Sequence, residues 1–273
     1  MAKLSDMQIH RYSLLLWGAP QVGKTVLASQ FPNLFYIDLD ESLTSIVALR
    51  AKYNIDMDFT TVSIDETPTT DPTFTDLCGT RFGSLPAWLK FKKLVEIVCR
   101  KMEPDHHLVV DNISRAAEYL IAYIKAGPDG QSPMQIRNWM VFVDELQTLI
   151  SSMRYSRGNI ILIGHEETRV DRLSGEQKVL ERLIYMPTKM RQRLPAMVSD
   201  SLRLSVRVVG PPKARRVVRF LQSTPDAMSV VGSRTLVPDM ESPTYTKMKS
   251  YLEKALNRTL PPATWDPPDG MEK

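Results

Sequence analysis

The chain has 273 residues, 43% hydrophobic and 24% charged, which excludes wholesale disorder and leaves room for one substantial core. No apolar run reaches membrane-spanning length, no secretory leader is visible, and the two cysteines, Cys78 and Cys99, cannot build a disulfide framework. A cytoplasmic, reducing setting without a membrane partner is therefore expected.

The net charge of +4 is unevenly spread: residues 151–220 hold fifteen Lys/Arg against six Asp/Glu, a net of +9, so the remainder carries −5. A basic segment on a nearly neutral chain suits a polyanion partner.

After a short leader over residues 1–10, Tyr12 to Trp17 is an apolar run of strand length that ends in a glycine-rich loop. Good helix formers follow from Thr25 to Gln30, until Pro32 stops them. Leu34 to Ile37 reads as a second buried strand, closed by Asp38, Asp40 and Glu41. Residues 52–83 are rich in Thr, Asp and Pro and read as a long loop holding one short strand, Phe59 to Val62. Leu85 to Arg100 has the apolar spacing of a helix.

His107 to Val110 is a third strand capped by Asp111, and a helix follows from Ser114 to Lys125, broken at Gly127-Pro128-Asp129-Gly130. Met134 to Tyr155 has the pattern of a long amphipathic helix, and Ile160 to Ile163 that of a fourth strand, followed by Gly164-His165. Residues 166–200 read as a charged loop region without clear period. Leu202 to Val209 and Arg216 to Leu221 alternate around Gly210-Pro211-Pro212 as a β-hairpin. Tyr245 to Asn257 is a last helix, and the Pro-rich tail from Leu260 is expected to be mobile. Alternating strands and helices predict a mostly parallel sheet with helices on both faces, an α/β fold whose ligands bind beyond the carboxyl ends of the strands.

Gly18-Ala19-Pro20-Gln21-Val22-Gly23-Lys24-Thr25 has the form G-x-x-x-x-G-K-[ST] between a strand and a helix. Its glycines permit a tight turn whose amides point at phosphate, and the helix N-terminus adds partial positive charge. Lys24 supplies a full charge to the β- and γ-phosphates and Thr25 a hydroxyl to Mg²⁺, with Asp111 beside it on the metal side. ATP and Mg²⁺ are the ligands this implies. Hydrolysis also needs a group that orients water. Asn112 follows Asp111, where a glutamate would serve, so Asp40 or Glu41 is the candidate base. His165, at the end of a strand, is placed to sense the γ-phosphate. His106 and His107 lie at the far end of their strand and receive no role.

In motif order the chain resembles RecA-type recombinase ATPases, closest to the short phage-encoded RecA-like ATPases of single-strand annealing and recombination. The resemblance runs from Tyr12 to about Gln222 and rests on Gly18–Thr25, Tyr36–Glu41, Leu108–Asn112 and Ile161–His165. It implies a RecA-like ATPase core over residues 1–233, with a helix and Pro-rich tail over residues 234–273. The family's water-activating glutamate corresponds to Asp40, and its phosphate-sensing glutamine to His165.

The family's two DNA-gripping loops correspond to Ala126–Gln135 and Glu166–Thr188, the second bearing Arg169, Arg172, Lys178 and Arg182. The hairpin is similar to the family's subunit-interface element, so Arg219 is expected to reach a neighbour's ATP, with Lys213 and Arg215 as rivals. Only about eleven residues precede the first strand, which leaves ring and filament both open. The resemblance thus implies DNA-stimulated ATP hydrolysis in phage recombination or replication. It also implies single-stranded DNA, self-association and a single-strand-binding protein as partners. Two other readings compete: an AAA+-like remodeller or helicase loader acting on a protein, and a module that binds ATP without hydrolysing it.

Overall fold

The computed structural model describes residues 10–55, 59–64, 72–127, 133–171, 178–187, 189–211 and 214–268. In chain order the elements are β1 (Ser13–Gly18), α1 (Lys24–Ala28), β2 (Leu34–Asp38), α2 (Thr44–Tyr53), β3 (Thr60–Ser63), α3 (Pro72–Cys78) and α4 (Ala87–Lys101). They continue with β4 (His107–Asp111), α5 (Ile113–Lys125), α6 (Ile136–Arg154), β5 (Asn159–Asp171), β6 (Lys178–Ile184) and α7 (Met190–Met197). The last are β7 (Asp200–Val209), β8 (Arg216–Gln222), β9 (Gly232–Ser233), β10 (Met240–Glu241) and α8 (Tyr245–Leu256).

The sheet runs β10-β8-β7-β1-β5-β4-β2-β3, with β6 on β5 and β9 on β7. From β7 to β3 every pairing is parallel; β8 and β10 add antiparallel strands at one edge. All six residues of β1 are buried, as a central strand covered on both faces requires. Its side chains alternate: Leu15 and Trp17 join the core under α4, α5 and α6, whereas Leu14 and Leu16 join the core under α1 and α8. Burying one such leucine contributes roughly 1.5–3 kcal/mol. Among the described residues no helix is long and apolar enough to cross a membrane.

Three segments depart from the sequence reading. The charged stretch after His165 is not a loop: β5 continues to Asp171 and pairs antiparallel with β6, and α7 follows. Ladder hydrogen bonds hold this ribbon, Leu183 and Ile184 bury its base, and Arg169 sits opposite Glu181 and pairs with it at 3.3 Å. The Thr- and Pro-rich stretch contains α3, which starts on a proline and is anchored by only two buried side chains, Phe74 and Cys78. The tail is packed through Pro268 rather than mobile. Trp265 is 5% exposed, and Thr264 donates from its N–H to Gln30 O at 2.9 Å and from its hydroxyl to Phe31 O at 2.6 Å. Trp265 Nε1 donates to Ser29 Oγ at 3.2 Å. The two Thr264 bonds satisfy carbonyls just beyond the end of the short α1 that would otherwise lack partners.

At the opposite end of the sheet from the strand ends, His107 is fully buried. Its Nδ1–H donates to Pro32 O at 2.6 Å, and Tyr12 Oη donates to its Nε2 at 2.5 Å, so the ring is held neutral in one tautomer. Burial lowers its pKa from 6.5 to about 4. The unfolded chain takes up this proton near pH 6.5 and the folded one does not. The stability due to a neutral His107 is therefore whole above pH 6.5 and falls as the pH drops toward 4, by about 3 kcal/mol in all. Urea unfolding followed from pH 7 to pH 4 should show this loss, and its slope should shrink in His107→Asn.

Candidate active site at the strand ends

The phosphate-binding loop begins where β1 meets β7. A Cβ on Gly18 would lie 2.1 Å from Leu204 O, so only glycine lets the two strands pass this closely. Gly23 has a φ of 98°, in the left-handed region, immediately before α1. A Cβ there would lie 2.7 Å from Arg219 Nε. Lys24 is buried and folds back on its own loop, donating from Nζ to Gly18 O at 3.0 Å and Ala19 O at 2.8 Å. Burial lowers its pKa to about 8, against the opposing pull of Asp111, Glu166 and Asp40.

The second half of the site comes from β2, β4 and β5, which the sheet register aligns as Asp38↔Asp111↔Ile163. Asp111 is buried, and its Oδ2 accepts from Thr25 Oγ1 at 2.7 Å, Tyr36 Oη at 2.5 Å and Ser42 Oγ at 2.7 Å. Thr25 and Asp111 therefore stand together, as a magnesium site needs. Among the described residues no group of three His, Cys, Asp or Glu side chains could hold a metal by itself. A magnesium ion here would thus complete its oxygen shell with phosphate and water.

Asp38 serves the loop rather than the chemistry. Its carboxylate accepts from Asp40 N at 3.2 Å, Ser42 N at 3.1 Å and Leu43 N at 3.2 Å. Burial raises its pKa, and these main-chain donors work against that rise. The turn it shapes carries Asp40 to Asn112 Nδ2 at 2.8 Å and His165 Nε2 at 3.2 Å. His165 lies opposite Gly18 in register, which sets the ring that meets Asp40 on the strand next to the phosphate loop. Glu41 is exposed at a φ of 52°, and among the described residues no hydrogen bond ties its carboxylate to this cluster.

Other expected site residues are placed differently. Arg219 lies beside Gly23 of the same chain's loop, its Nε 2.7 Å from where a Cβ on that glycine would stand. Arg215 is exposed close to the hairpin turn, and Lys213 lies outside the described residues. Glu166–Thr188 is, where described, a ribbon paired up to Ile184 rather than an open loop. Arg169 pairs with Glu181, and Arg182 lies 3.9 Å from Glu166. Arg172 lies outside the described residues, as do residues 128–132 of the other expected loop, and Lys178 opens β6. Sequence reasoning missed Tyr36, Ser42 and Arg203, whose guanidinium holds the nearly buried Glu166 at 2.7 and 3.2 Å. It read Asn112 only as a missing glutamate, although an Asn just ahead of a helical pattern is a cap signal.

A model of the AAA domain family matches residues 10–247. No curated protein matches the sequence. Among solved structures, a prototypical ATPase from the type III secretion system of pathogenic bacteria is similar, with a TM-score of 0.41 and 11% identity. The match covers 71% of this chain and 52% of that one, so the chain spans about half that protein's length.

Lys24 gives the site a pH signature. About half of it is neutral at pH 8, and a bound triphosphate favours the ammonium form, so binding at pH 8 should take up about half a proton. Affinity should therefore weaken as the pH rises through 8. Calorimetry in buffers of different ionisation enthalpy measures the uptake, which should vanish in Lys24→Met; zero uptake in the wild type would contradict the assignment.

Proposed function

The chain belongs to the AAA domain family, and on that premise we propose that it binds and hydrolyses Mg-ATP, with Asp40 orienting the attacking water and His165 sensing the γ-phosphate. The observation that carries this reading is the pairing of Thr25 with Asp111 at 2.7 Å beside the Asp40–Asn112–His165 cluster. A P-loop and a carboxylate alone would support binding; the second carboxylate on the adjacent strand end supports hydrolysis.

The roles follow from the chemistry each group can perform. The main-chain N–H groups between Gly18 and Thr25, Pro20 having none, cradle the phosphates. Lys24 exchanges its two loop carbonyls for phosphate oxygens, a stronger, charge-assisted interaction. Thr25 and Asp111 are the residues that would hold magnesium, which when bound neutralises charge on the β- and γ-phosphates. Asp40 accepts a hydrogen bond from the attacking water and aligns it, and His165 answers to the γ-phosphate at the root of the β5–β6 ribbon.

For the partner, we propose single-stranded DNA, in recombination or replication of the phage type, with the protein working as an oligomer. The +9 segment supports this, and Arg219 on the hairpin is the cation offered in trans, with Lys213 and Arg215 as rivals. A single-strand-binding protein fits the same reading. A second reading, remodelling of a protein partner, draws on a different surface. Ile136 and Met140 on α6 are 83% and 69% exposed beside a groove of about 700 Å³, an unusual display for a solvated helix.

Phosphate release should fall by at least about 100-fold in both Lys24→Ala and Asp40→Asn, with ATP binding weakened only in the first. Full activity in Asp40→Asn would remove it as the water-orienting group. If about five DNA phosphates are neutralised, log K for single strands should fall with log salt at a slope of about −3.5. A flat salt response, with no stimulation of phosphate release by DNA, would overturn the DNA reading and leave the protein partner.

A further inference from the structure

Asn112 is 1% exposed and caps α5, its Oδ1 accepting from Arg115 N at 2.6 Å. A cap of this kind must be an oxygen, so the amide cannot be turned over, and its Nδ2 is fixed on the side of the strand ends. There it reaches Asp40 Oδ2 at 2.8 Å and His165 Nε2 at 2.9 Å. An amide nitrogen has two hydrogens and nothing to accept with. A neutral His165 must therefore accept at Nε2 and carry its proton on Nδ1. The 3.2 Å contact of that ring with Asp40 is then two acceptors sharing one donor group, and becomes an ion pair only in a protonated ring. His165 Nδ1 is buried and has no hydrogen-bond partner among the described residues. The ring is thus held from one side alone, by Asn112.

We propose that Asn112 is a positioning residue for hydrolysis: its side-chain amide, locked by the helix cap, holds the Asp40 carboxylate and the His165 ring in one fixed arrangement. The proposal rests on the hydrolysis reading above, and it gives a purpose to the residue that stands where a glutamate is missing. One oxygen of Asp40 is taken by the amide. The other is free of it, at a defined orientation, to receive a hydrogen bond from water. The same amide sets which nitrogen of His165 carries the proton. A buried donor without a partner is costly, so the Nδ1–H favours any rearrangement that offers it an acceptor. A γ-phosphate oxygen is an acceptor of that kind, and His165 meets it with its tautomer already set.

Asn112→Ser tests the idea, because serine also caps a helix well but its single short hydroxyl cannot donate to both Asp40 and His165. The expected result is a 10- to 100-fold fall in kcat, the usual loss when a supporting contact is removed, with ATP affinity kept within about threefold. The second reading is the tautomer of His165. The chain has four histidines, so nitrogen-15 histidine NMR can resolve each, with His165→Gln identifying the signal. In the wild type His165 should be the Nδ1–H form, and in Asn112→Ser a mixture. An unchanged kcat, an unchanged tautomer, or loss of ATP binding along with kcat would each overturn the proposal. Should Asn112→Ser fail to fold, Asn112→Asp keeps both cap and shape, and the same outcomes decide. A wild type that releases no phosphate would defeat the hydrolysis reading itself, whereas the tautomer measurement still judges the Asn112 arrangement.

Discussion

The buried carboxylate of Asp111 is the point on which the site depends. It draws hydroxyls from three separate pieces of chain: Thr25 at the start of α1, Tyr36 on β2 and Ser42 in the turn beyond. A carboxylate sealed from water is costly unless such donors surround it, so satisfying this one group also fixes where the three pieces stand. The phosphate loop and the acidic turn are consequently held at one distance before any ligand arrives. Asp38 does the same for the turn alone, through main-chain donors.

Much of this was legible in the sequence because parallel strands buried on both faces read as short continuous apolar runs. β1, β2, β4 and the start of β5 show themselves that way, and each ends in the residue that matters: Gly18, Asp38, Asp111, His165. What hydrophobic pattern could not reveal was order held by other forces. The β5–β6 ribbon is held by ladder hydrogen bonds and by arginine–glutamate pairs, neither of which leaves an apolar period. α3 needs only Phe74 and Cys78 to anchor it. The position of Arg219 over Gly23 depends on how the β7–β8 hairpin lies across β1, a long-range fact that no local signal encodes.

The basic segment illustrates how charge counts and charge placement differ. Arg169 and its partner Glu181 are both about half exposed, and a pair of that kind contributes under about 1 kcal/mol. The pair between Arg203 and Glu166 is nearly buried and doubly hydrogen-bonded, so it belongs to the framework joining β5 to β7. A net charge of +9 therefore contains two populations, one exposed to solvent and one built into the framework.

The packed tail has a consequence for how the nucleotide-binding element can move. α1 is five residues, about 7.5 Å long, and the chain just past its end is clasped by Thr264 and Trp265, more than two hundred positions later in sequence. At its front, Arg219 occupies the space that a Cβ on Gly23 would need. With the rear of this short rod clasped, adjustment to an incoming triphosphate falls on the six-residue bend from Gly18 to Gly23. Cutting or extending the chain just before Thr264 would unpin the rear of that rod, altering ligand affinity from a place that touches no ligand.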